Sequence, residues 1–358
     1  MIKNGFSTNI IMPRRSCNMA ILHGNKIYSE IKDSGDVLFI LLAGSTDISK
    51  IPGISAAGES PELTALTPVL DSEIIWSGKC ISYDVVPMTE NGIPTPSIIT
   101  RASIETSGIE TLIVDAGMVE DPKIPFVKTG LGPALNGSEN TALPYYDRAM
   151  EFGKYIGGLI DGRYKHIFIA ESVPGGTTTA YTVLSLLGIM DMTSSSMKDS
   201  PDNIKKDLAQ KALKRIDKRA TVPEKIRETG DYMMPLALGI SSAVKNSNIF
   251  FSGGTQMATV FYLDMLINHG NNRYVFTTGY IMKDKRDLME KLAGSSIIYA
   301  DTDFTGMEGL EYYEDGYVKE GTGFGAAFGI ASILGNNTDA IYKSIEEVYN
   351  RLAARPGS

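Results

Sequence analysis

The amino-acid sequence predicts an α/β protein with a doubly wound parallel sheet. Six short apolar runs are each followed by a loop of small residues and then by a helical segment. The runs are apolar at consecutive positions, which is typical of strands that helices cover on both faces. No repeat of fixed period occurs, which excludes solenoid and propeller folds.

The six predicted strands occupy, in chain order, residues 37–42, 111–114, 166–170, 248–251, 274–276 and 296–300. In an open parallel sheet, ligands bind outside the carboxyl ends of the strands. The small-residue loops that follow these strands are therefore expected to converge on one crevice.

The sequence divides into three predicted parts. An N-terminal extension covers residues 1–35, the main α/β domain covers residues 36–335, and a C-terminal helix covers residues 336–358. Met12 and Met19 are alternative starts, so the beginning of the extension is left open. Residues 126–144 are rich in Gly, Pro and Asn and predict a long loop, a kind of segment that often carries function.

A helical insertion is predicted within the main domain, at residues 191–235. The composition there turns polar and charged, and Ser200 as N-cap with Pro201 at the first helical position predicts the start of a helix. An apolar stripe follows at helical spacing, formed by Ile204, Leu208, Ala212 and Ile216. We interpret this segment as a surface insertion, with a mobile lid as the alternative.

Composition excludes several classes of protein. The 358 residues include 43% hydrophobic and 21% charged residues, and 34 Lys+Arg against 42 Asp+Glu give a net charge of −8. Because no basic run exceeds Arg14-Arg15, nucleic acid is not an expected partner. Two cysteines are too few for a disulfide framework. The apolar runs are shorter than the ~20 residues that span a bilayer, and no signal peptide is apparent, so we expect a cytoplasmic protein without a membrane partner.

Two glycine-rich loops are candidate anion sites. After the third strand, Gly175 and Gly176 allow a ligand to approach the backbone, and the N-terminus of the following helix favours negative charge. The hydroxyls of this loop belong to Thr177, Thr178 and Thr179. The loop after the fourth strand is of the same type and contains Ser252, Gly253, Gly254 and Thr255. For both loops the alternative is a tight strand-to-helix turn without a ligand; neither matches the P-loop or the dinucleotide fingerprint.

Carboxylates are the candidates for acid–base chemistry, because the chain has only three histidines. Glu171 stands where the third strand ends, immediately before the first glycine loop. Glu320 lies between Lys319 and Gly321, just ahead of an apolar helix, where burial would raise its pKa and suit it to general-base catalysis. The alternative for Glu320 is an acidic residue that complements the helix dipole.

A second acidic set lies further along the chain, in a segment without a strong pattern. Two interpretations apply to it, a magnesium site and a solvated loop, and we favour the loop. The set consists of Asp301, Asp303, Glu308 and Glu311.

The glycine loop and the second glutamate together resemble a known family, the nicotinate-nucleotide:dimethylbenzimidazole phosphoribosyltransferases, and in particular its archaeal branch. The family's Glu-x-x-x-Gly-Asn-Thr-Thr loop is similar to Glu171-x-x-x-Gly175-Gly176-Thr177-Thr178-Thr179. Its Gly-Glu-Gly-Thr-Gly-Ala segment, which precedes a late helix, is similar to Glu320-Gly321-Thr322-Gly323-x-Gly325-Ala326. The pattern covers roughly residues 37–334.

The resemblance implies a Rossmann-like three-layer fold and a definite reaction. Members transfer phosphoribose from nicotinate mononucleotide to a benzimidazole, which makes the lower-ligand nucleotide of cobamides, α-ribazole phosphate. By resemblance, Glu320 takes the proton from the attacking imidazole nitrogen and Glu171 assists. The Gly-Thr loops, among them Gly321, Thr322 and Gly323, hold phosphate and ribose. No metal or organic cofactor is implied, and the family is oligomeric, commonly dimeric.

Departures from the family pattern concern the substrates more than the fold. Bacterial members carry Arg-Leu-Gly before the glutamate, where this chain has Tyr317-Val318-Lys319, so Lys319 is the candidate for the donor-site cation. The apolar slot for the acceptor is assigned to Tyr83, Phe324 and Phe328. The natural acceptor base and the choice between a nicotinate and a nicotinamide donor are left open.

Two other functions compete with the transferase. A non-catalytic nucleotide-binding or sensing protein would keep the same pocket, but it would not need a carboxylate at position 320. A dinucleotide-dependent oxidoreductase is disfavoured, because no Gly-x-Gly-x-x-Gly follows an early strand.

Overall fold

The sheet of this protein has seven strands in the computed structural model, which describes residues 21–34, 36–58, 60–89 and 91–354. The strands are β1 (Ile21–Gly24), β2 (Val37–Ala43), β3 (Glu110–Asp115), β4 (His166–Ser172), β5 (Asn248–Ser252), β6 (Arg273–Thr278) and β7 (Ile297–Asp301). Their order across the sheet is β1-β7-β6-β5-β4-β2-β3.

All six strands predicted from the sequence are confirmed, and they pair in parallel. The prediction missed β1, which pairs antiparallel with β7 and places Ile21 opposite Asp301. This strand falls within the stretch that we predicted as an extension. Its four residues include a polar histidine and a glycine, too short a pattern to distinguish a strand from a loop.

Helices cover both faces of the sheet. They are α1 (Tyr28–Ser34), α2 (Pro61–Ser77), α3 (Ser97–Ser107), α4 (Tyr146–Ile160), α5 (Gly176–Leu186), α6 (Asp202–Arg215), α7 (Val222–Thr229), α8 (Met233–Ala243), α9 (Thr255–Ile267), α10 (Gly279–Ala293), α11 (Phe324–Ile333) and α12 (Thr338–Ala353). Every helix in the described part of the chain is too short or too polar to cross a membrane.

Alternate residues of each central strand enter two separate cores, which explains the continuous apolar runs. In β2, Leu38 and Ile40 pack in the core that holds α4, α5, α8, α9 and α10. Phe39 and Leu41 point the other way, into the core that holds α1, α2 and α11. The α/β prediction, with a parallel sheet between two helical layers, is therefore confirmed.

The predicted helical insertion contains α6 and α7. Its apolar stripe is confirmed, since Leu208, Ala212 and Ile216 are buried. The predicted N-cap is wrong: α6 begins at Asp202, because Pro201 has a non-helical ψ of 49°, and the Ser200 hydroxyl caps no backbone amide.

Helix α8 begins inside the predicted insertion but is buried in the core and packs closely against α4. A Cβ at Gly153 of α4 would lie 2.9 Å from Cα of Gly239, so the two backbones approach as only glycines allow. The division of the chain at residues 35, 191, 235 and 335 stays a prediction.

Candidate active site

A cleft opens where strands β4 and β5 end, at the edge of the sheet where the sequence predicted a crevice. Six segments of the chain, together with side chains of α2, α9 and α10, form its walls. The segments comprise residues 54–58, 87–89, 93–96, 171–177, 194–196 and 318–322. Among the predicted site residues, those that line the cleft are Glu171, Gly175, Gly176, Thr177, Gly254, Lys319, Glu320, Gly321 and Thr322.

Glu320 stands on a strained loop immediately before α11. Positive φ angles at Val318 (44°), Thr322 (53°) and Gly323 (68°) turn the chain sharply on either side of it. The amide of Thr322 donates to the carbonyl of Glu171 at 3.0 Å, which ties this loop to the end of β4. The glutamate is therefore held at the cleft by a loop whose positive φ angles are uncommon for residues other than glycine.

The carboxyl group of Glu320 has one bonded oxygen and one free oxygen. Oε1 accepts a hydrogen bond from the amide of Gly325 at 3.0 Å. Oε2 is buried and has no hydrogen-bond partner among the described residues. Burial raises the pKa of Glu320 to about 7, although backbone amides of the loop oppose the shift. A buried carboxylate oxygen without a partner is suited to accept a proton from a ligand.

Glu171 is the second carboxyl of the cleft, on the penultimate residue of β4. Its Oε2 accepts a hydrogen bond from the amide of Val173 at 2.9 Å. Burial and then the negative charge of Glu320 raise the pKa of Glu171 to about 8. The raised pKa values let the pair share a proton around neutral pH, an arrangement typical of catalytic carboxyl pairs.

Asp71, which the sequence analysis missed, is a third carboxyl in the wall of the cleft. It lies on α2, where its Oδ1 accepts from the hydroxyl of Thr95 and its Oδ2 accepts from the hydroxyl of Ser172, both at 2.7 Å. Burial raises its pKa. The available signal was a charged residue following the apolar pair Val69 and Leu70 within a helix.

A fourth carboxyl, Asp231, lies behind the first glycine loop. Its Oδ2 accepts from the hydroxyl of Thr179 at 2.5 Å and from Nε2 of Gln256 at 3.3 Å. Burial raises the pKa of Asp231 to about 6. Gln256 lines the cleft and packs so tightly on Gly176 that a Cβ there would lie 2.1 Å from the amide oxygen. This network fixes the loop from behind.

The two glycine loops contribute unequally to the cleft. Their remaining predicted residues are buried behind the cleft wall. For example, the hydroxyl of Ser252 donates to the Phe250 carbonyl and that of Thr255 accepts from the amide of Ser194. Direct substrate contact stays a prediction for Thr178, Thr179, Ser252, Gly253 and Thr255 of these loops, and for the buried Gly323 that precedes α11.

Two lysines donate hydrogen bonds to the segment of the cleft that contains three consecutive serines, residues 194–196. Nζ of Lys319 donates to the carbonyls of Ser195 (3.0 Å) and Met197 (3.3 Å) and lies 3.7 Å from a carboxylate oxygen of Asp284. Nζ of the buried Lys205 donates to the carbonyl of Ser194 at 2.6 Å, and burial lowers its pKa to about 7. Neither the serines nor Lys205 carried a recognisable motif in the sequence.

The predicted aromatic slot is wrong. Phe324 and Phe328 are fully buried in the core between α3, α11 and α12, and Tyr83 donates to Glu120 at 2.7 Å away from the cleft. Helix α11 turns these rings away from the cleft and into the core that it forms with α3 and α12. Apolar surface in the cleft comes instead from Ile54, Pro87, Met88, Ile93, Pro94 and Ile281.

The predicted acidic set lies on β7 and in the loop after it. Asp301 accepts from Nε2 of His23 on the edge strand at 2.7 Å. Within the described ranges, no group of three or more His, Cys, Asp or Glu side chains could hold a metal ion.

The fold and the cleft define a Rossmann-like α/β protein with a carboxyl-rich ligand site at the carboxyl ends of its strands. The chain belongs to the UPF0284 family. A member from Thermoplasma volcanium is 47% identical over 319 residues, which cover 88% of this chain and 94% of that protein. Members from Thermoplasma acidophilum and Thermococcus gammatolerans are 40% and 37% identical, each over 88% of this chain and 93% and 98% of the relative. No family model matches the sequence.

Solved structures with the same fold include two from Thermus thermophilus. One, described as CobT, aligns with a TM-score of 0.61 over 90% of each chain at 14% identity. Another is described as a nicotinate-nucleotide-dimethylbenzimidazole phosphoribosyltransferase and aligns with a TM-score of 0.56, also at 14% identity, over 88% of this chain and 82% of that one. At this level of identity the comparison establishes the fold.

Replacing Glu171 by Gln should stabilise the protein at alkaline pH. The folded pKa of about 8 lies above the ordinary value of 4.5. Between these values the folded state holds a proton that the unfolded state has released, so stability falls as pH rises and the loss is complete above about pH 8. Glutamine removes this penalty, on the order of a few kcal/mol. We expect Glu171→Gln to raise the melting temperature by several degrees at pH 9 and little at pH 5.

The matched control is Glu151→Gln, which changes an exposed glutamate on α4 and should leave both melting temperatures unchanged. An equal shift of the Glu171→Gln variant at the two pH values, or a lower melting temperature at pH 9, would contradict the raised pKa.

Proposed function

We propose that this protein transfers phosphoribose from nicotinate mononucleotide to a benzimidazole-type base, giving α-ribazole phosphate and nicotinate. The observation that carries the proposal is the buried Oε2 of Glu320, which has no partner among the described residues and lies beside Glu171 in a cleft at the strand ends. The fold shared with proteins that bear the name of this transferase supports it.

In the proposed reaction a ring nitrogen of the base attacks the anomeric carbon of the ribose as the bond to nicotinate breaks. The ring nitrogen of nicotinate is quaternary in the nucleotide, so the leaving group departs as a neutral pyridine ring. Glu320 takes the proton of the imidazole ring, which prevents a cationic product. Its carboxylate also stabilises the oxocarbenium-like charge that develops on the ribose.

Phosphate and ribose of the donor are assigned to the first glycine loop. Gly175, Gly176 and Thr177 line the cleft at the N-terminus of α5, where backbone amides and the helix dipole favour an anion. Lys319 supplies a cation in the same wall, although its Nζ is already engaged with two carbonyls. We also propose that the protein acts as a homodimer in the cytoplasm.

The proposal is tested by incubating the purified protein with nicotinate mononucleotide and dimethylbenzimidazole and separating the products by chromatography. We expect nicotinate and a new base-containing ribotide phosphate to appear in equal amounts. If the mononucleotide binds but neither a benzimidazole nor a purine yields a product, the chain is a nucleotide-binding protein that lacks the chemistry.

The pH dependence of turnover should show an acidic limb at about pH 7. Glu320 acts as a base only when ionised, and its pKa is raised to about 7. Below that pH, kcat at saturating substrates should fall about tenfold per pH unit. The acceptor has its own ionisation, so the profile is measured with benzimidazoles of different basicity. A limb that moves with the basicity of the acceptor would contradict its assignment to Glu320.

A further inference from the structure

Asp71 lies in the cleft wall next to the loop segments at residues 87–89 and 93–96, which also line the cleft. Asp71 and Thr67 are one helical turn apart on α2, and both line the cleft, so this face of the helix points into it. The adjacent loop, whose Thr95 donates a hydrogen bond to Asp71, supplies apolar surface to the cleft. Its lining residues include Pro87, Met88, Ile93 and Pro94.

The carboxyl of Asp71 has hydrogen-bonding capacity that the described residues do not fill. A carboxylate offers about four lone-pair sites; the hydroxyls of Thr95 and Ser172 fill one on each oxygen, and the hydroxyl of Ser97 is a third donor. All three hydroxyls act as donors here, so what remains at Asp71 is the capacity to accept one further hydrogen bond. A ligand edge without a donor would leave this buried polar group unmatched, which costs binding free energy.

Asp71 is separate from the two glutamates that we assign to proton transfer. Its partner Ser172 follows Glu171 in β4, so the two carboxyls occupy adjacent parts of the wall. Glu171 and Glu320 face the reacting end of the ligand under the proposed function. Asp71 is therefore placed to meet another part of the acceptor ring.

We propose that Asp71 is a specificity-determining residue that selects acceptor bases carrying an O–H or N–H donor on the ring edge. This inference rests on the proposed function and names its acceptor class. A hydroxylated benzimidazole and an aminopurine both supply such a donor, whereas a methylated benzimidazole presents only apolar atoms there. Sites built around a polar partner reject an apolar isostere far more strongly than apolar sites reject a polar one.

The test compares pairs of acceptors of similar size, with and without the donor: 5-hydroxybenzimidazole against 5-methylbenzimidazole, and adenine against purine. For the native chain we expect kcat/KM to favour the donor-bearing member of at least one pair by about tenfold or more. The pair that shows the preference identifies the donor as a hydroxyl or an amine. No preference in either pair overturns the inference.

Variants of Asp71 connect the preference to this residue. Asp71→Leu has nearly the same size and should reverse the preference toward the apolar member. Asp71→Asn keeps an acceptor and the shape, so it provides the test if the leucine variant does not fold. It should narrow the preference to about threefold. Asp84→Asn, an exposed change in the neighbouring loop, should leave the preference intact. An unchanged preference in Asp71→Asn would overturn the assignment.

Calorimetric titration of the same bases, without turnover, separates this inference from the proposed function. If no base is converted but the native chain binds the donor-bearing base more tightly than Asp71→Asn does, the transferase proposal fails and the role of Asp71 stands. If bases are converted without discrimination, the transferase stands and the role of Asp71 is overturned.

Discussion

Glu320→Gln is expected to lower the rate of phosphoribosyl transfer by about 10²–10⁴-fold, the usual effect of losing a general base. Glutamine has the same shape and can still accept the hydrogen bond from the Gly325 amide, so the loop should keep its position. What it cannot do is take a proton at the position of the buried Oε2, which has no partner in the described part of the chain. Single-turnover kinetics, with the affinity for nicotinate mononucleotide measured separately, show whether the loss lies in the chemical step.

The matched control is Glu311→Gln, an exposed glutamate nine residues earlier in the chain, which should leave the rate unchanged. Equal rates in the native chain and Glu320→Gln would remove this residue from the chemistry. A loss of donor affinity that accounts for the whole effect would assign Glu320 to binding instead.

Gly323→Ala should destabilise the protein by about 2–5 kcal/mol and abolish activity with it. Gly323 has φ of +68°, and a Cβ there would lie 2.7 Å from Cβ of Ala170 and 3.3 Å from that of Ser252, both on central strands. Left-handed strain of about 1–2 kcal/mol therefore adds to overpacking of about 1–3 kcal/mol. Relief of the clash must move the loop that carries Glu320. Denaturant unfolding measures the loss.

Gly335→Ala separates strain from the clash. Gly335 follows the other end of the same helix, α11, with φ of +96° and open space around its missing Cβ. We expect this control to cost about 1–2 kcal/mol and to retain activity. Equal losses in the two variants would mean that the close contact between Gly323 and the strands contributes nothing.

The sequence was sufficient to predict most of the sheet. Central strands such as β2 and β4 are apolar at nearly every position, because alternate side chains enter opposite cores, and that pattern is visible without the fold. Strand β1 has no such pattern. It is a strand because β7 offers it an exposed edge, a relation between segments more than 270 residues apart in the chain.

The residues of the site also divide into those that a local sequence pattern indicates and those that only the fold brings together. Glu171 and Glu320 could be predicted because each stands at a strand or helix boundary shortly before glycines, a local signal. Asp71, Asp231 and Lys205 lie on or beside helices, and their importance comes from burial and from partners distant in the sequence. The aromatic slot failed for a related reason, since Phe324 and Phe328 lie close to Glu320 in sequence but point into the core.

The central claim is that Glu320 acts as a base and not as a nucleophile. The most direct test is the anomeric configuration of the ribotide phosphate made from β-nicotinate mononucleotide, read by nuclear magnetic resonance of its anomeric proton. Direct attack by the base inverts that carbon, whereas a covalent ester on a carboxylate would lead to retention. We predict the α-anomer. A β-configured product would contradict the account, because it would require Glu320 or Glu171 to bond to the ribose.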